Sequence, residues 1–137
     1  MPTCAAVDPQ RETVLEPDEV LTELHLPVTP EGVKSSYRKV RARASWDFAL
    51  VGVALAVQLD GNVVRHARVV LSGVAATPWR SAPAEKALLG KRLDASTISA
   101  AADAAIKGAE PLTHNHYKIP MLHGLLIEQL EQLQRTP

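Results

Sequence analysis

Apolar and polar residues alternate in the stretch "EPDEVLTELHLP", where Val20, Thr22, Leu24 and Leu26 fall two apart. A period of two predicts a short strand after a turn at Pro17. Pro27, Pro30 and Gly32 then mark a loop. From Ser35 to Arg43 the same period sets Lys39, Arg41 and Arg43 on one face and Val40 and Ala42 on the other, which predicts a half-exposed strand. Residues 48 to 59 are apolar on both faces. One face is large (Val51, Val53, Leu55, Val57) and the other small (Gly52, Ala54, Ala56), so this strand belongs mid-sheet with something packed closely on its small face. The Asp60-Gly61 pair that follows is a hairpin signal of the type I′ kind, and residues 63 to 75 are expected to return antiparallel.

Beyond Trp79 the period changes. "APAEKALLG" predicts a short helix closed by Gly90, and "DASTISAAADAAIKG" a second one capped at Asp94 or Ser96 and stopped by Gly108. From Tyr117 to Gln134, Ile119, Leu122, Leu126, Leu130 and Leu133 form one helical face, with Pro120 tolerable only in the first turn. Strands first and helices afterwards predict an α+β fold: an antiparallel sheet of three to four strands followed by three helices packed on one face. Residues 12–137 are expected to form a single domain, and residues 1–11 an N-terminal extension without fixed order.

Composition narrows the function. Fifteen basic and fifteen acidic side chains cancel over 137 residues, so no general field attracts nucleic acid or an anionic membrane. The charge is uneven, however. Residues 1 to 33 hold seven acidic groups against one arginine, and 34 to 43 hold five basic groups and no acid; the two segments are expected to lie close together. The single cysteine, Cys4, has no partner for an internal disulfide, and no stretch reaches the roughly 18 uncharged residues of a membrane span. The expected location is cytoplasmic.

Candidate chemistry is sparse. The run Arg38, Lys39, Arg41, Arg43 could meet nucleic acid with Tyr37 and Trp46 stacking, but a solvated strand face balanced by the acidic segment explains it without a ligand. His114, His116 and His123 lack a nearby acid or thiolate to complete a metal set. His25, His66 and Asp47 are isolated candidates, and a lone histidine on a strand is more often a hydrogen-bonded structural residue. There is no G-x-S-x-G, no phosphate-binding loop, no G-x-G-x-x-G and no Gly-Gly pair. Catalysis by this chain alone is not expected.

The stretches "ETVLEPDEVLTELHLP", "YRKVRARASWDFALVGVALAV", "DGNVVRHARVVLSGVAATPWRSAPAEKALLGKRL" and "HNHYKIPMLHGLLIEQLEQL" together resemble the C-terminal domain of the FAD-binding medium subunit of molybdenum hydroxylases, the xanthine dehydrogenase, carbon monoxide dehydrogenase and aldehyde oxidoreductase family. The likeness runs over roughly residues 12 to 134. It implies an antiparallel sheet followed by three helices, the order already read from periodicity. It also implies a role in FAD-mediated electron transfer, with a molybdopterin large subunit and an iron-sulfur small subunit as partners.

In this family most of the FAD is held by a preceding domain whose glycine-rich turns cradle the pyrophosphate. No such turns occur here, so FAD is expected only in complex with a separate FAD-binding domain and not on the chain alone. By motif, the two positions that approach the flavin map to Leu21 in "DEVLTE" and Lys39 in "YRKVR", and Val40 to Asp47 would run beside the flavin and shape access of the electron acceptor. A leucine offers apolar contact to the ring system, and a cation favours its anionic reduced form. The rival reading is a non-catalytic, homodimeric or protein-interaction module that uses the same fold.

Overall fold

A computed structural model describes residues 13–135; the extension expected at residues 1–11, and Cys4 with it, lie outside them. The chain forms β1 (Val33–Val40), β2 (Val51–Asp60), β3 (Val63–Ser72) and β4 (Trp79–Arg80), then α1 (Ala82–Leu88), α2 (Ala95–Ile106) and α3 (Lys118–Arg135). The sheet is antiparallel throughout in the order β1-β2-β3-β4. The α+β expectation therefore holds, with a fourth strand only two residues long.

The β2–β3 hairpin closes through Gly61 and Asn62, and Asp60 faces Val63. Only Gly61 has positive φ (58°), which is the pattern of a II′ turn and corrects the I′ expectation. Gln58 faces His66 while Leu59 faces Val64, so Arg65 is an extra residue on β3. Its guanidinium donates to Asp60 Oδ2 at 2.6 Å.

Burial follows the alternation along β2. Val51, Val53, Leu55 and Val57 sit in the core with Val69 and Leu71 of β3 and with Leu88, Ile98, Leu126 and Leu130 of the helices. Gly52, Ala54 and Ala56 point to the other face, where no helix contributes to the core. What fills that face comes from within the sheet. A Cβ on Gly52 would collide with the Ser72 hydroxyl and come within 3.6 Å of the Tyr37 hydroxyl. The close packing expected on the small face is thus neighbouring strand side chains rather than another element.

Two strand expectations are corrected. Residues 20–26 form no strand: they run exposed and without regular structure after a turn at Pro17 and Asp18. An alternating pattern specifies a strand only when a neighbouring edge pairs its backbone, and none does so here. Likewise β1 stops at Val40 instead of reaching Arg43. The Leu50 N–H donates to the Val40 carbonyl at 2.8 Å, which closes residues 41–49 into a loop. Strand β2 accordingly begins at Val51 and leaves Phe48 outside it.

The helices are secured by polar contacts at their ends. Asp94, not Ser96, caps α2: its Oδ1 accepts from Thr97 N at 2.9 Å and from Ser96 Oγ at 2.9 Å. In α1, Glu85 is buried and accepts from Arg80 Nε at 2.9 Å, Arg80 Nη2 at 2.7 Å and the Val69 N–H at 3.1 Å. With β4 so short, that carboxylate satisfies a β3 donor at the sheet margin.

Candidate functional site

The helix-free face of the sheet carries one row of residues across three strands. Lys39 on β1 faces Gly52 on β2, and Gly52 faces Ser72 on β3. Tyr37 stands two residues along β1, opposite Ala54. Lys39 is half-buried, and among the described residues no acidic side chain pairs with it. The Ser72 hydroxyl is buried without a hydrogen-bond partner. One small-residue strand flanked by Lys39 and the exposed Tyr37, with the Ser72 hydroxyl buried beside Gly52, gives a surface suited to a planar polar ring or to another protein face, and among the described residues no nucleophile–base pair lies on it.

Next to this row lies the loop 41–49. Arg43 Nη2 donates to the Trp46 carbonyl at 2.7 Å, and Trp46 has a φ of 49°, a left-handed conformation that non-glycine residues adopt rarely. Trp46 and Phe48 are each 93% exposed. At the foot of the loop Gly73, with a φ of 72°, packs so closely that a Cβ there would lie 2.8 Å from the Leu50 carbonyl oxygen. Phe48 was not legible as a surface residue, because its place in an apolar run reads as strand.

Of the two residues mapped to the flavin, only Lys39 has a position fixed by the sheet, opposite Gly52. Leu21 lies in the irregular segment before β1 and is 61% exposed. The acidic segment touches β2 through its backbone, where Gln58 Nε2 donates to the Glu31 carbonyl at 2.9 Å. The basic run is divided: Arg38 points to the helix side, 4.0 Å from Glu128 of α3, Lys39 to the open side, and Arg41 and Arg43 into the loop. It offers no single cationic face. His123 pairs with Asp103 at 3.0 Å, His25 with Glu23 at 2.7 Å, and His114 and His116 are exposed. Among the described residues no group of three or more His, Cys, Asp or Glu could hold a metal ion, and no helix is long and apolar enough to cross a membrane.

Burial by itself raises the Glu85 carboxyl, but the Arg80 hydrogen bond, the Val69 N–H and the charges of Arg80 and Arg68 hold it below its ordinary value. Asp94 is also held low, first by the Thr97 N–H. Both shifts belong to the scaffold.

Residues 35–133 match the CO dehydrogenase flavoprotein C-terminal domain. The chain is 38% identical over 99 residues to the carbon monoxide dehydrogenase medium chain of Hydrogenophaga pseudoflava, covering 72% of this chain and 34% of the relative. It is 40% identical over 124 residues to the aldehyde oxidoreductase FAD-binding subunit of Escherichia coli, covering 90% and 36%. A solved structure of carbon monoxide dehydrogenase from Hydrogenophaga pseudoflava, in a form that lacks the Mo-pyranopterin moiety of the molybdenum cofactor, superposes with a TM-score of 0.78 at 35% identity, over 85% of this chain and 42% of that one. The chain thus spans about a third of the length of the curated relatives it matches. On the family match, the identities and the shared fold, the chain belongs to the CO dehydrogenase flavoprotein C-terminal domain family, the C-terminal domain of the medium subunits of molybdenum hydroxylases.

Proposed function

We propose that this domain completes a flavin site whose FAD is held by a separate FAD-binding domain, and that it does so with the helix-free face and the 41–49 loop. One observation carries the reading: among the described residues Lys39 is a half-buried cation without an acidic partner, held in the β1 ladder opposite Gly52, in a domain whose relatives include an FAD-binding subunit. The residues fit a flavin. Gly52, Ala54 and Ala56 carry little or no side chain above the strand, and among the described residues the buried Ser72 Oγ has no hydrogen-bond partner and Lys39 no acidic one.

When bound, FAD supplies the redox chemistry. The residues of this chain orient and tune it. The Lys39 ammonium places positive charge where reduction builds negative charge, Leu21 covers apolar ring surface, and Trp46 and Phe48 limit the approach of solvent and of the electron acceptor. The chain alone retains no FAD, because it has no glycine-rich turn to take the pyrophosphate. Its partners are then the FAD-binding domain and, through it, the molybdopterin large subunit and iron-sulfur small subunit of a cytoplasmic complex.

The test is the flavin midpoint potential in the assembled complex. Lys39→Met should lower it by roughly 20–80 mV, since removing one nearby charge costs about 1–4 kcal/mol of stabilisation of the reduced form. An unchanged potential would remove Lys39 from the site. The same exposed surface could instead join two copies of this chain; a dimer at micromolar concentration that persists when the FAD-binding domain is added would favour that reading.

A further inference from the structure

A second feature lies on the helix side of the sheet, where the β3–β4 turn meets the end of α2 and the start of α3. A half-open cleft of about 280 Å³ is bounded by Leu71, Trp79, Ala105, Ile106, Ile119 and Leu122, a size at the lower end of small-molecule sites. Its floor is apolar, and its polar groups include two side-chain donors with capacity to spare. Lys118 Nζ donates to the Gly73 carbonyl at 2.7 Å, which uses one of three ammonium N–H groups. Among the described residues no acidic side chain pairs with it. Asn115 also lines the cleft, and its Oδ1 accepts from the Leu112 N–H at 2.6 Å, which leaves its amide N–H₂ as a second donor. Lys107 and Glu110 also line the site; both are exposed and their charges offset, so Lys118 sets the sign.

We infer that this cleft is a binding site for a small monocarboxylate with an apolar body, such as a single aromatic ring. The carboxylate is taken by Lys118 and Asn115, and the ring lies on Leu71, Ile106 and Leu122 against Trp79. A charge-assisted hydrogen bond to carboxylate is about twice as strong as a neutral one, so an uncharged analogue of the same shape binds more weakly. This inference is independent of the flavin reading.

The test uses the 137-residue chain carrying Trp46→Phe, which leaves Trp79 as the single tryptophan, with phenylacetate as the probe and phenylacetamide as its neutral match. Trp79 fluorescence should change saturably with phenylacetate. The half-saturating concentration should rise at least tenfold with phenylacetamide and at least tenfold in Lys118→Met. Ala105→Leu, which fills the cleft and leaves both donors in place, should abolish the response, and it carries the test if Lys118→Met fails to fold by circular dichroism. A response that does not saturate, equal affinity for acid and amide, or retention of binding in Ala105→Leu would overturn the assignment.

Discussion

Glu85 and Arg80 form a two-point pair, with Arg80 Nε and Nη2 donating to the Glu85 carboxylate oxygens at 2.9 and 2.7 Å. The same carboxylate accepts from the Val69 N–H, so one side chain fastens α1 to β3 and β4 together. Its loss leaves a buried backbone donor unpaired. Glu85→Ala is expected to lower unfolding stability by about 2 kcal/mol, and Glu85→Gln, which keeps an acceptor for Val69, by less. Urea denaturation of the three proteins checks the order.

The pH dependence follows from the same group. A carboxyl held below its ordinary value of 4.5 contributes stability that is fully present above that value and is lost as pH falls through the lowered folded value. Asp94, held below 3.8, adds the same dependence further down. Stability is therefore expected to be insensitive to these two groups at neutral pH and to decline below about pH 4.5, with a shallower decline in Glu85→Gln. Equal slopes for wild type and Glu85→Gln would show that Glu85 is not linked to folding.

Gly73 and Gly61 separate two roles of positive φ. A Cβ at Gly61 meets nothing within 4 Å, whereas one at Gly73 would lie 2.8 Å from Leu50 O. Gly61→Ala is expected to cost about 1 kcal/mol from conformation alone. Gly73→Ala should cost about 1–3 kcal/mol more, because the carbonyls of Ala49 and Leu50 must move as well. Thermal unfolding distinguishes them, and equal losses would remove the proposed close packing at the foot of the 41–49 loop.

Much of this fold was legible from periodicity, and the failures have physical causes. The helices were readable because their apolar stripes and their stops at Gly90 and Gly108 agree with one another. The large and small faces of β2 were readable because alternation there coincides with burial. The segment around Leu24 reads as strand because alternation reports capacity to pair, whereas among the described residues no strand, the open edge of β1 included, pairs with it. Arg41 and Arg43 read as part of a strand face because nothing local announces the Leu50 to Val40 hydrogen bond that ends β1. As for the candidate site, Lys39 is legible only through resemblance to a family and not through its own chemistry, while the exposure of Phe48 and the buried hydroxyl of Ser72 depend on long-range packing.

Trp46 and Phe48 make little packing contact within the domain, so replacing them should leave its stability within about 0.5 kcal/mol. Trp46→Gly should even relieve the left-handed backbone at that position. If the loop serves docking, Trp46→Gly combined with Phe48→Ser should weaken association with the FAD-binding domain about tenfold, as loss of aromatic anchors does at interfaces. Unchanged association measured by calorimetry would place the docking surface elsewhere.

The most direct test of the account is the flavin content of the chain after gel filtration with excess FAD, alone and together with a separately produced FAD-binding domain of the same family. No flavin is expected with the chain alone, and one flavin per complex when both domains elute together. Stoichiometric flavin on the chain alone, or no co-elution of the two domains, would contradict it.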